Sequence, residues 1–206
     1  DAINIVIPQS PSSANPERML NPTQEQLTAY FETMKGKVGG KMVLVGKPAV
    51  IPVTMDPPAK RIDDETMKKR FDPNNTSPQG LGRGTPPTPP AGILTNAQIN
   101  EQLDKFLVEN KAAVRINDAA MDHGLVRAFN NRTFDITKVV PTVVMRNEDF
   151  GRIARLLADG TQVKLEFDIR NRLVPQGTTS YNVVAEIPGS DKKDEVVMLG
   201  GHLDSW

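Results

Sequence analysis

The stretch that decides the fold is Glu195-Val196-Val197-Met198-Leu199-Gly200-Gly201-His202-Leu203-Asp204-Ser205-Trp206. A short apolar, β-branched run reads as a strand. It delivers two glycines and then His-x-Asp-Ser. In open α/β sheets, sites form beyond the carboxyl ends of strands. A histidine there can project past the sheet while its backbone is held. Glycines ahead of it let other chain segments approach closely. A carboxylate two residues after it lies on the same side in extended geometry. Asp204 could thus accept one imidazole N–H of His202 and leave the other nitrogen free to bind a metal. His-x-Asp alone is equally compatible with a solvent-facing strand end. The longer string is more specific.

Just upstream, Tyr181 to Ile187 (YNVVAEI) reads as a partner strand, joined through Pro188 to Asp194. Thr161 to Ile169 (TQVKLEFDI) alternates strictly and predicts a half-exposed strand. Asn147 is expected to cap a helix over 148–158, with Phe150, Ile153, Leu156 and Leu157 inward and Gly160 at its end. Val139 to Met145 is an apolar strand in which Pro141 argues for an edge or a strand start. Further back, Ala112 to Ile116 predicts a strand. Asn96 to Asn110 predicts an amphipathic helix with Ile99, Leu103, Phe106 and Leu107 on its buried stripe.

Lys41 to Val45 predicts a short buried strand. Thr23 and Gln26 are spaced as a capping box ahead of a helix with Leu27, Tyr30, Phe31 and Met34 on one face. Ala2 to Ile7 predicts an opening strand. Between 47 and 93 the sequence changes character. Asp63 to Phe71 could make two helical turns, and Asp72 to Gly92 is rich in Pro and Gly with almost no large apolar residues. Such a stretch cannot offset its ordering entropy by burial, so a surface insertion is expected over about 52–93. The class that follows is α/β, or mixed α+β, with a small mixed sheet and flanking helices.

Lys and Arg together number 25, as do Asp and Glu, so formal charge is zero and bulk attraction for nucleic acid is excluded. There is no cysteine, which removes disulfides, thiolate metal sites and thiol nucleophiles. No apolar run is long enough to span a bilayer. The chain starts at Asp1 without a leader, so any export signal is expected to have been removed.

The run from Tyr181 to Trp206 resembles the start of the catalytic domain in co-catalytic zinc peptidases of the aminopeptidase and carboxypeptidase Q type (clan MH). The segment Gly39 to Val45 is similar to a strand of that family's inserted protease-associated domain. Lys111 to Val114, Pro141 to Val144, Glu148-Asp149 and Leu156 to Gly160 resemble further parts of the same domain. The resemblance implies a lead-in segment over 1–38, a protease-associated domain with a small mixed sheet or sandwich over 39–170, and two strands of the zinc peptidase domain over 171–206. It implies that His202 binds one of two zinc ions and that Asp204 orients it. It implies a secreted or periplasmic exopeptidase acting on peptides, with the protease-associated domain shaping substrate access or protein contacts. The family's remaining donors (a bridging Asp, a Glu-Glu pair, another Asp and a late His) are not supplied here, so these residues alone are expected to be inactive and to hold zinc weakly. Self-association through the protease-associated domain or the exposed strands is also expected.

Two other readings stand beside this one. A receptor-like protein-interaction module could keep the architecture without the metal, and another zinc-dependent enzyme could use the same scaffold. Elsewhere, His123 sits in a turn-like Met-Asp-His-Gly. Asp63-Asp64-Glu65 and Glu148-Asp149 lie at helix starts, where carboxylates favour the helix dipole. Gly80 to Gly84 superficially resembles a phosphate loop but lacks the flanking strand and helix. Asn74, Asn75 and Asn131 match the glycosylation pattern. No Ser-His-Asp arrangement is available.

Overall fold

The computed structural model describes residues 1–12, 15, 17, 19–52, 62–72, 74, 90–128, 133, 135–172, 174, 176–177 and 179–201. The chain divides into two units, Asp1–Ile169 and Arg170–Trp206.

In the first unit, elements follow the order β1 (Ala2–Ile5), β2 (Ser10–Pro11), β3 (Met19–Leu20), α1 (Gln24–Met34), β4 (Met42–Val45), α2 (Asp64–Arg70), α3 (Asn96–Glu109), β5 (Val114–Asp118), β6 (Thr142–Met145) and α4 (Asn147–Ala158). Four strands form one sheet in the order β1-β4-β5-β6, and every pairing in it is parallel. The α/β class holds. The sheet itself is not mixed, since antiparallel pairing is confined to β2 with β3 and an isolated bridge, Thr23 with Ile93. Residues 1–38, expected as a lead-in, are built into this unit, because β1 pairs with β4 along its whole length.

Successive side chains on a strand leave opposite faces, and a parallel sheet is normally covered on both. Val43 therefore joins Ile5, Met34, Val38, Leu103, Phe106 and Leu107 in a core beneath α1 and α3. Its neighbour Leu44 joins Val114, Ile116, Phe150 and Ala154 beneath α4. Helices α1 and α3 also meet each other. Phe31 and Phe106 stack at 4.5 Å, and the amides of Gln24 and Gln102 exchange hydrogen bonds of 2.7 and 2.8 Å.

Both helices start as their sequences predict. Thr23 Oγ1 accepts from the Gln26 N–H at 3.3 Å while Gln26 Oε1 accepts from the Thr23 N–H at 2.9 Å. Thr95 and Gln98 repeat the arrangement at 3.2 and 2.8 Å. Each box satisfies two backbone donors that a helix start leaves free. Thr23→Ala and Thr95→Ala are each expected to lower unfolding free energy by about 1 kcal/mol, read by urea titration of the two variants.

Several boundaries differ from expectation for identifiable reasons. The strand predicted at 112–116 begins at Val114, because the Ala112 N–H still closes α3 on the Leu107 carbonyl at 2.9 Å. Pro141 stands just ahead of edge strand β6, and its carbonyl accepts the Arg115 N–H at 2.8 Å, so its missing N–H costs no ladder bond. Asn147 is the first residue of α4 and not its cap. Its side-chain amide donates instead to the Ala49 carbonyl at 3.0 Å and to Asp118 Oδ2 at 2.9 Å.

Residues 161–169 form no strand ladder. They run beside β1 with one bond to it, Ala2 N–H to the Val163 carbonyl at 2.8 Å, while Leu165 and Phe167 pack onto the core under α4. The alternation marks which side chains turn inward, but one bond does not make a ladder.

In the second unit, the strands expected at 181–187 and 195–199 are not formed. Among the described residues no segment pairs with either run, and Tyr181, Val183, Val184, Ile187, Val196, Val197, Met198 and Leu199 are all exposed. A strand needs a neighbour to take its N–H and C=O groups; without one, water takes them.

Candidate functional site

The carboxyl ends of β4, β5 and β6 bring 46–49, 118–124 and 146–149 together. Asp118 is the centre of this set. Its Oδ2 accepts from the Ala49 N–H at 2.7 Å and from the Asn147 amide at 2.9 Å, and its Oδ1 accepts from the Ala120 N–H at 3.0 Å. Glu148 accepts the Gly124 N–H at 3.1 Å. Asp149 accepts two bonds from Arg146, at 2.6 and 2.9 Å, and these hold the guanidinium pKa above its ordinary value. The carboxylates here therefore tie loops to the start of α4. That arrangement fixes backbone and offers no pair of carboxylates for acid–base work.

The other sequence candidates resolve in the same way. Asp63 caps α2, and bonds from the Thr66 N–H and hydroxyl hold its carboxyl below the usual range. His123 adopts a left-handed backbone, φ 54°, in a turn. Its side chain is 84% exposed, with Nε2 at 3.4 Å from Asp122 Oδ2. Asn74 donates its backbone N–H to Asp72 Oδ1 at 2.8 Å. Gly80 to Gly84, Asn75, Asn131, His202 and Asp204 lie outside the described residues. Gly200 and Gly201, which lead to His202, are described, and both are exposed.

A buried ionic cluster that the sequence analysis did not single out lies on the α1/α3 side. Arg115, in β5, is 5% exposed, and Asp104, in α3, is 7% exposed. The guanidinium meets Asp104 Oδ1 at 2.5 Å, Asn117 Oδ1 at 2.9 Å and Asn100 Oδ1 at 2.8 Å. One signal was available: Asn100 and Asp104 are four apart, beside the apolar stripe of α3, and so share a helix face. A cleft of about 430 Å³ is lined by Asp104, Lys105 and Val108 of α3 and by Thr137, Lys138 and Val139. Its two lysines already face carboxylates, Lys105 with Glu109 at 3.8 Å and Lys138 with Asp135 at 3.6 Å.

Among the described residues no three His, Cys, Asp or Glu side chains are grouped to hold a metal ion, and no helix is long and apolar enough to cross a membrane.

Part of the chain is nevertheless similar to a class of peptidases. The matched proteins are carboxypeptidase Q from Mus musculus and from Rattus norvegicus, each 37% identical over 67 residues, and carboxypeptidase Q from Homo sapiens at 36% over 67 residues. The match takes in 32% of this chain and spans only 14% of the length of each relative. No family model matches the chain. No solved structure matches it.

Proposed function

We propose that these residues belong to a secreted or periplasmic zinc-dependent exopeptidase that releases residues from peptides. The observation that carries this reading is the joining of an apolar run to Gly-Gly-His-Leu-Asp-Ser-Trp, in a chain with 37% identity over 67 residues to carboxypeptidase Q. His202 is the zinc donor contributed by this chain, and Asp204 holds its tautomer and orientation. Residues 39–170 act as a protease-associated domain that shapes substrate access or protein contacts; the resemblance to that domain at 39–45, 111–114, 141–144, 148–149 and 156–160 supports this. Peptides are the partners, and the zero formal charge gives nucleic acid no foothold.

A two-ion centre needs several donors, and this chain has two histidines and no cysteine. The 206 residues alone are therefore expected to show no peptide turnover. The complete reading frame that contains them is expected to hydrolyse unblocked dipeptides, to lose that activity to a chelator and to regain it with zinc. Turnover indifferent to chelation would remove the metallopeptidase assignment. A complete protein with no turnover, zinc present, would favour the interaction-module reading.

A further inference from the structure

We propose that the cleft lined by α3 and by residues 133 and 137–139 holds a peptide by one basic side chain, lysine or arginine. At about 430 Å³ the cleft falls within the range of small-ligand sites. Its lining residues 101, 104, 105, 108 and 109 recur at helical spacing, so one face of α3 makes one wall. The other wall is braced by its own bonds. Asp135 donates its N–H to Thr133 Oγ1 at 3.0 Å and accepts from the Thr137 N–H at 2.9 Å and the Thr137 hydroxyl at 2.6 Å. Val140, next along the chain, is buried in the core beneath α1 and α3. Both walls are therefore in place before a ligand arrives.

The charges of the lining decide what enters. Lys105 is paired with Glu109, Lys138 with Asp135, and Asp104 with Arg115. Among the described residues, that leaves the exposed Glu101 as the one lining charge without an opposite partner. A cation is drawn to this carboxylate, and an anion is repelled by it.

The rest of the lining is apolar in character. Val108 and Val139 are half-buried, and Thr133 and Thr137 add methyl groups. Long basic side chains bury their methylene stems on such a surface while the charged head stays in water. The stem of a lysine or arginine thus lies on Val108 and Val139, with its head at Glu101. The cleft is larger than one such side chain, so flanking residues of a peptide have room beside it.

The test is a titration of the 206-residue chain with terminally blocked Ala-Lys-Ala, Ala-Arg-Ala, Ala-Met-Ala and Ala-Glu-Ala, followed by backbone amide NMR shifts. It reads binding and not turnover, so its outcome is separate from that of the peptidase assignment. The Lys and Arg peptides are expected to move the amides of 101–109 and 137–139 saturably. The Met peptide should bind about tenfold more weakly, and the Glu peptide should not bind. Glu101→Gln keeps the size of an exposed side chain and removes its charge, so the fold stays and Lys-peptide affinity falls about tenfold. Glu101→Lys is expected to bind neither basic peptide. Absence of saturable shifts at these amides in the parent chain overturns the proposal. So does equal affinity for the Lys and Met peptides, or basic-peptide affinity that is unchanged in either Glu101 variant.

Discussion

In the complete protein, proposed above to be a zinc exopeptidase, His202→Ala is expected to abolish zinc-dependent peptide turnover and to lower zinc content, both measured on the same preparation by metal analysis and dipeptide hydrolysis. The expectation follows from the proposed role. A side chain that donates to the metal is lost outright, and alanine offers no replacement. Asp204→Asn tests the second half of the assignment. If Asp204 only orients the imidazole, the amide keeps the shape but loses the charge that sets the tautomer. Removing such a partner costs roughly 10–100-fold in metal affinity or activity. The two variants should therefore fall in order, with His202→Ala the more damaging. Equal and complete loss in both would make Asp204 a direct donor, and full activity in His202→Ala would dismiss the zinc assignment.

Asp104→Ala is expected to destabilise the first unit by about 3–5 kcal/mol, the range for breaking a buried ion pair from one side. The Arg115 guanidinium would remain buried beside the neutral oxygens of Asn100 and Asn117, without the Asp104 carboxylate. Arg115→Met should cost a similar amount for the converse reason, a buried carboxylate that has lost its guanidinium. The double variant Asp104→Leu/Arg115→Met is expected to recover most of the loss, since well-packed apolar pairs often replace buried ion pairs without penalty. Denaturant titrations of the parent, Asp104→Leu, Arg115→Met and the double variant give the answer as a cycle. If the double variant is as unstable as the sum of the singles, the pair is not acting as a coupled unit.

The elements that were legible in the sequence are those whose causes are local. The Thr23/Gln26 spacing announces a helix start, and the box forms; Thr95 and Gln98, three apart in the same way, form a second box. The stripe of Ile99, Leu103, Phe106 and Leu107 announces a buried face, and all four are buried. Pro141 announces an edge or a start, and it precedes an edge strand. What could not be read depends on distant partners. Asn147 has the composition of a cap, but Ala49 and Asp118, far away in sequence, take its amide. Arg115 looks like a strand residue bound for solvent, and only the docking of α3 makes it an interior cation. The runs at 181–187 and 195–199 have strand composition, but composition does not supply a neighbour. At the candidate site, the motif around His202 is a sequence signal, and it lies outside the described residues.

The order β1-β4-β5-β6 runs across the sheet without a reversal. Doubly wound sheets bind small ligands where successive connections depart in opposite directions and leave a crevice between them. A sheet laid down in one direction has no such topological switch point. The loops at its carboxyl end close on one another, as Asp118, Ala49 and Asn147 do. Among the described residues, the strand ends of the first unit are therefore tied to one another by their own backbone and side chains.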